Sequence, residues 1–306
     1  MNIIITGATG FIGSHLVQHF LEKEMAVTAF TTNARNARSV LPDTIHILEW
    51  SAPESDLIRA IDKADAIINL AGAGIISRAW TPSYKETLLK SRVKTTERLT
   101  ALIHRSTSKP AVMVQGSATG FYGNDPEKTF TEQSGQGIGF LPELTHKWES
   151  ASLPVTKDNV RLVIIRTGVV IANEGGFIDR LKMPFRWFIG GPVGNGNQWF
   201  SWIDLRDETG AIDFLLKTRN ARGVFNLTAP QPLRQKDFFA LFGQAVHRPS
   251  WFPVPACALK MALGQRAKEV ILSSQKVLPV KLLKAGYAFR FPDAKSSLQN
   301  WFYENR

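Results

Sequence analysis

Cysteine is all but absent. Cys257 is the only one in 306 residues, which excludes an internal disulfide and a thiolate-bound metal and fits a reducing compartment; no metal site is expected. Nowhere do ~18 apolar residues follow one another, so a spanning helix is excluded and no membrane partner is expected. The strand-like run begins at residue 2, leaving no room for a targeting segment, so the chain is expected to stay in the cytoplasm where it is made. No stretch repeats and none is of low complexity, which excludes a solenoid. Acidic residues are scarce beside basic ones, 26 against 37, for a formal charge of +11. The imbalance is concentrated late in the chain. Between Lys260 and Lys295 eight lysines or arginines (260, 266, 268, 276, 281, 284, 290, 295) meet only Glu269 and Asp293. Such a bias selects acidic partners. No recognition helix, zinc finger or aromatic RNA-binding pattern accompanies it, so nucleic acid is not expected, and a solvated basic face or a small anionic substrate is favoured. A homodimer stays open as an assembly.

What the chain has in strength is a glycine turn between a strand and a helix. Met1 to Ile5 is an apolar, β-branched run that reads as a buried parallel strand, Ser14 onward has helical character, and Gly7, Gly10 and Gly13 fall between them. Glycine there permits a tight turn and lets a pyrophosphate approach the backbone. The helix start offers N–H groups and partial positive charge to the anion.

Further along, Ala26 to Thr31 reads as a second strand ending in Thr31, Thr32 and Asn33. An NAD site usually carries an acidic residue here, whereas a 2′-phosphate needs its absence and a nearby cation. No carboxylate is present and Arg35 and Arg38 follow, so NADP (NADPH) is preferred over NAD. Ile45 to Glu49 reads as a third strand, Leu57 to Lys63 as a short helix, and Asp65 to Leu70 as a fourth strand running into NLAGAG, where Ala71, Gly72 and Gly74 suit a crossing cofactor backbone. A helix from about Pro82 to Arg105 carries Arg92, placed either to reach a phosphate or ribose or to decorate the surface. A fifth strand, Ala111 to Gln115, opens onto GSATGFYG at 116 to 123. Ser117 and Tyr122 supply a hydroxyl pair at a strand end, where hydride chemistry needs a proton relay; the packing alternative for Tyr122 stays open.

After a helix at 140 to 152 and a sixth strand at Arg161 to Arg166, the stretch from Asn173 to Phe200 reads as a long Gly-rich loop, suited to a lid over substrate. A helix through Lys217, a strand at Val224 to Leu227 and a helix at Leu233 to Val246 follow. The tail reads as helices at Ala256 to Leu272, at Pro279 to Ala285 stopped by Gly286, and at Ala294 to Tyr303. The predicted class is α/β: a doubly wound parallel sheet over residues 1–230, including the loop 173–203, with a smaller α-rich C-terminal lobe over 231–306.

Assembled, these stretches resemble the extended, or atypical, short-chain dehydrogenase/reductase superfamily. TGATGFIG (6 to 13) looks like its dinucleotide loop and NLAG (69 to 72) like its second cofactor loop. More narrowly the chain is similar to NAD(P)-dependent epimerase-family proteins whose C-terminus is a domain of unknown function. The matching pieces are WTPSYKETLLKSRV (80 to 93), SATGFYG (117 to 123), IRTGVVI (165 to 171), PFRWFIGGPVGNGNQWFSWI (184 to 203) and the stretch 254 to 293. The resemblance implies a Rossmann core with a smaller substrate lobe and NADP(H) as cofactor. It implies that Gly7, Thr9, Gly10, Phe11, Ile12 and Gly13 hold the pyrophosphate, that Leu70, Ala71 and Gly72 line the adenosine side, that Arg92 touches the cofactor, and that Val169 sits near the nicotinamide. Relatives often show Ser-Arg where this chain has Thr31 and Thr32, so Arg35 or Arg38 must supply any cation for a 2′-phosphate.

The superfamily pairs a catalytic tyrosine with a lysine four residues on, which lowers the phenol's pKa. Here Tyr84 has Leu88 at that offset, Tyr122 has Pro126, Tyr287 has Phe291, and Tyr303 lies too near the end. The dyad is missing. Two functions remain: an NADP(H)-dependent oxidoreductase or epimerase on an anionic, nucleotide-linked or other carbonyl or carbinol compound, with Ser117 and Tyr122 catalytic; or a sensor or interaction protein that keeps the cofactor and has lost the chemistry.

Overall fold

Ile3, Ile4 and Ile5 are buried because Asn2–Thr6 (β1) lies in the middle of a sheet. The computed structural model of the chain describes residues 1–302. β1 pairs in parallel with Ala26–Thr31 (β2), Ile3 opposite Val27, and β2 pairs with His46–Glu49 (β3). On its other side β1 pairs with Ala66–Asn69 (β4), Ile5 opposite Ile68, and β4 with Val112–Ala118 (β5). Arg161–Thr167 (β6) and Gly223–Leu227 (β7) complete a seven-stranded parallel sheet in the order 7-6-5-4-1-2-3. That order reverses direction at β1, which is where a doubly wound sheet leaves room for a ligand outside the strands' carboxyl ends.

The helices follow the sequence in physical terms. Phe11–Leu21 (α1) starts at Gly10, and Ala34–Val40 (α2) is capped by Asn33, whose side chain accepts from Asn36 N. Glu54–Asp62 (α3) begins after Pro53, and Pro82–Arg105 (α4) has Pro82 in its first turn and Thr81 accepting from Tyr84 N. Phe140–Ser152 (α5) follows. Contrary to the expected loop, Gly176–Arg186 (α6) is helical inside the stretch 173–200. It buries Ile178, Leu181 and Phe185 on one face, a helical spacing disguised by flanking glycines and by Pro184 within the helix. Leu205–Lys217 (α7) and Gln235–Ala245 (α8) come next. Ala256–Leu263 (α9) is shorter than expected because Gly264 turns the chain at φ +56°, and a separate turn of helix covers 267–271. Val280–Lys284 (α10) precedes Gly286 at φ +91°, and Ala294–Phe302 (α11) ends the described residues, so Tyr303 lies outside them.

The chain forms two compact units that alternate along its length. The first is Met1–Ser117, His146–Ile165 and Ile212–Val224, and the second is Ala118–Thr145, Arg166–Ala211 and Phe225–Arg306. The last of these divisions falls between Val224 and Phe225, and the segment 173–203 groups with the C-terminal residues. The first unit's core gathers Ile4, Ile67 and Met113 from the sheet against Leu57 and Ile61 of α3 and Leu99 and Ile103 of α4. The second unit's core is aromatic, with Phe185, Trp202, Phe238 and Phe242 at its centre. In it Val169–Ile171 pairs in parallel with Trp202–Asp204.

Candidate cofactor and active site

The turn after β1 is built around close backbone approaches. Gly7 has φ +71°, and a Cβ there would fall 2.8 Å from the Leu70 carbonyl carbon. A Cβ on Gly13 would fall 2.2 Å from Gly7 O, so only glycine lets α1 lie so close to the turn. Gly10 caps α1 in extended backbone with no side-chain bond, and the first turn holds no acidic residue. Ser14 N donates to Gly10 O at 2.9 Å, so the N–H groups of Phe11, Ile12 and Gly13 precede this bond and are the donors a helix start leaves over. A diphosphate matches these donors in charge and geometry. Thr9, in the same turn, is half-buried.

A buried polar network pins the two loops that flank this cradle. Thr6 Oγ1 bonds Asn69 Oδ1 at 2.5 Å, and Asn69 Nδ2 donates to Thr96 Oγ1 and to Gln115 Oε1, each at 2.8 Å. Ala71 N donates to Thr6 Oγ1 at 3.2 Å. The carboxyl ends of β1 and β4 are thereby locked together just where Gly7 and Leu70 begin their loops. Further on, Ser91 Oγ accepts from Ala73 N at 3.0 Å and Tyr84 O–H donates to Gly74 O at 2.6 Å, tying the second loop to α4.

Arg92 is 8% exposed. Its guanidinium sits 5.1 Å from the Trp148 ring centroid, Nη1 donates to Leu88 O at 3.2 Å, and a Cβ on Gly72 would fall 2.8 Å from Cζ. Burial pulls its pKa down to about 10, so it stays charged at neutral pH. Among the described residues no carboxylate pairs with it. A nearly buried cation without a counterion, packed on a glycine loop, is suited to an anion or a carbonyl dipole of a bound dinucleotide. The surface reading of Arg92 is thereby corrected, because α4 turns it inward.

The end of β2 is less bare than its own residues suggest. Glu49, opposite Thr31 in β3, accepts from Ala34 N at 2.6 Å and from Ser51 Oγ at 2.9 Å. The Ala34 amide, followed by Ser51, holds its pKa below the usual carboxylate range. Thr31 is half-buried, while Thr32, Arg35 and Arg38 are exposed. The sequence missed this carboxylate because strand pairing, not chain order, brings it to the β2 turn.

Of the two hydroxyls proposed for chemistry, Ser117 belongs to the first unit and Tyr122 to the second. Ser117 Oγ donates to Glu149 Oε1 at 2.6 Å, with both residues buried. Glu149 was missed because α5 returns it to β5 from 32 residues away. Tyr122 is 2% exposed, with its ring stacked on Phe130 at 5.1 Å. Its hydroxyl donates to Asn226 Oδ1 at 2.6 Å and accepts from Arg166 Nη1 at 3.1 Å. Burial raises its pKa above that of a free phenol, although Arg166 and Asn226 work the other way. Val169 lies in the second unit, with its N–H donating to Ser201 O at 2.9 Å.

Comparison with known proteins agrees with this geometry. Residues 3–137 match the NAD dependent epimerase/dehydratase family and residues 254–301 a domain of unknown function, DUF1731. The chain is 37% identical over 98% of its length to a chloroplastic epimerase family protein SDR39U1 homolog of Arabidopsis thaliana, covering 86% of that protein. It is 37% identical to epimerase family protein SSP1921 of Staphylococcus saprophyticus, over 97% of this chain and 98% of that one. The crystal structure of human epimerase family protein SDR39U1 (isoform 2) with NADPH superposes with a TM-score of 0.90 at 30% identity, covering 100% of both chains. Kinship on this scale joins the diphosphate cradle to the rest of the sequence, and the chain belongs to the epimerase family of NAD(P)-binding short-chain dehydrogenase/reductase proteins.

Proposed function

We propose that the protein is an NADPH-dependent oxidoreductase or epimerase acting on a small anionic carbonyl or carbinol compound, with Ser117 and Glu149 forming its proton relay. The observation that carries this reading is the 2.6 Å bond from Ser117 Oγ to Glu149 Oε1, in the same unit as the glycine cradle. A hydroxyl whose proton is held by a carboxylate keeps its lone pairs free to accept from a substrate O–H. A proton taken by Ser117 is matched by one passed to Glu149, and the reverse order protonates a carbonyl oxygen during reduction. This pair takes over the task of the missing tyrosine and lysine.

The cradle, Arg92 and the loop at Leu70 to Gly72 hold the dinucleotide, whose nicotinamide ring supplies or takes the hydride. NADPH is favoured over NADH because Arg35 and Arg38 are the cations beside the β2 turn, while Glu49 is already engaged by Ala34 and Ser51. NADPH in the human relative supports the same choice. In this reading Tyr122 is a core residue that fixes Asn226 and Arg166.

The test is transfer of deuterium from NADPH labelled at C4 to a panel of carbonyl compounds and nucleotide sugars. Label recovered in a product, with Tyr122→Phe turning over as fast as the unaltered chain, supports the reading. NADPH bound but never oxidised across the panel favours the sensor alternative.

A further inference from the structure

The second unit leaves a set of large apolar side chains in solvent. Trp187, Phe188 and Ile189 follow α6, and Trp251, Phe252 and Met261 lie nearer the C-terminus, each at least 51% exposed. The two stretches are held against each other. Trp251 Nε1 donates to Phe188 O at 3.0 Å, Phe252 N to Gly190 O at 3.4 Å, and Val254 N to Pro192 O at 2.9 Å. Gly191 packs so tightly there that a Cβ would fall 2.3 Å from Phe252 O. Directly after comes α9, ACALKMAL, which buries none of its residues although Lys260 is its only charge. Aromatic rings and an apolar helix are thus presented outward on one bonded framework. An apolar surface of this kind marks an interaction site.

Charge identifies the occupant. From Arg180 to Phe200 and from Phe238 to Lys268 the chain carries seven lysines and arginines and not one aspartate or glutamate; of the seven, Lys182 is paired with Asp179 just before the first stretch, at 3.0 Å. Arg248 lies 4.9 Å from the Phe188 ring centroid, within the patch itself. A second copy docked through the same face would bring one basic patch against another, since a twofold contact uses the same patch on both copies. An anionic lipid surface neutralises them, and its headgroup layer is where exposed tryptophan and phenylalanine are stable.

We propose that this face of the second unit binds the surface of an anionic bilayer, with α9 and the tryptophans at headgroup depth. The expectation of no membrane partner rested on the lack of a spanning run. No helix among the described residues is long and apolar enough to cross a membrane, but lying on one requires only an apolar face with a basic rim.

The test is co-sedimentation of the full chain with phosphatidylcholine vesicles, with and without about one third phosphatidylglycerol, at ~0.1 M and ~1 M salt, where the Debye length falls from ~10 to ~3 Å. Binding is expected only to the anionic vesicles and only at the lower salt. The double variant Trp187→Ser and Trp251→Ser should weaken it on the order of tenfold or more, given the apolar area each ring buries. Brominated lipid should quench the tryptophan emission of the unaltered chain, a readout that does not depend on the variant's folding. Three results would overturn the proposal: no binding to anionic vesicles, binding without tryptophan quenching, or a dimer that the double variant abolishes while vesicles leave the chain in solution.

Discussion

Ser117 and Glu149 are joined by a 2.6 Å hydrogen bond between two buried side chains, one from β5 and one from α5. If this bond moves the proton, Ser117→Ala and Glu149→Gln should each lower turnover by about 10² to 10⁴ while NADPH affinity stays within about threefold, since general acid–base catalysis contributes on that scale. Single-turnover rates beside NADPH titrations separate the two effects. A Glu149→Gln variant with full turnover would leave the carboxylate only a structural task.

Arg92 offers a separate check on the cofactor. Replacing it with methionine keeps most of the packing on Trp148 and Gly72 and removes a buried charge that has no carboxylate partner among the described residues. The apo protein should therefore melt at the same temperature or slightly higher. NADPH affinity should fall about ten- to a hundredfold, the range for losing a charge-assisted hydrogen bond of ~1.5–3 kcal/mol. Titration by NADPH fluorescence, with thermal melts of the apo variant, reads both.

Nucleotide choice turns on α2. The double variant Arg35→Ala and Arg38→Ala should weaken NADPH about tenfold or more and leave NADH nearly unchanged, because only the former carries a 2′-phosphate for an arginine to grip. Equal losses for both nucleotides would place these arginines elsewhere in binding.

Glu208 provides a stability prediction with a defined sign. It sits in the first turn of α7, fully buried, with Thr167 Oγ1 donating to Oε1 at 2.7 Å and, among the described residues, no hydrogen-bond partner at Oε2. Burial raises its pKa to about 8, only partly opposed by Thr167. The folded chain thus holds a proton that the unfolded chain releases near pH 4.5. The contribution of this one group to stability should be fullest below that pH and decline through pH 8, by up to ~1.4 kcal/mol per pH unit and on the order of 3 kcal/mol by pH 7. Glu208→Gln removes the decline. Denaturant midpoints of both proteins at pH 5 and pH 8 check it, and identical pH dependence would contradict it.

Local chemistry was legible in the sequence and long-range pairing was not. Gly7 to Gly13 and Leu70 to Gly72 could be read because a strand, a turn and a helix start each leave marks within a few residues. Asn69, two residues from Ala71, was visible as part of NLAG, but not its bonds to Thr96 and Gln115. Glu49 reached the β2 turn through strand register, and Asn226 reached Tyr122 across 104 residues. α6 escaped notice because Pro184 and the surrounding glycines are local breakers, while the burial of Ile178, Leu181 and Phe185 that stabilises the helix is set by tertiary packing.

The most direct measurement is NADPH binding by a Gly10→Asp variant. Gly10 has φ −77° and ψ 169°, ordinary extended backbone, and aspartate is among the best residues for a helix start; its Cβ would fall 3.1 Å from Gly7 O, a tight contact that a shift of a few tenths of an ångström in the turn relieves and the cap offsets, so α1 should hold its stability. Its carboxylate would occupy the N–H groups of the first turn and repel a diphosphate. Saturable NADPH binding by the unaltered chain, weakened on the order of a hundredfold in the variant with no drop in melting temperature, is the expected result. NADPH held equally well by the variant, or not held saturably by the unaltered chain, would show that no diphosphate rests on this turn.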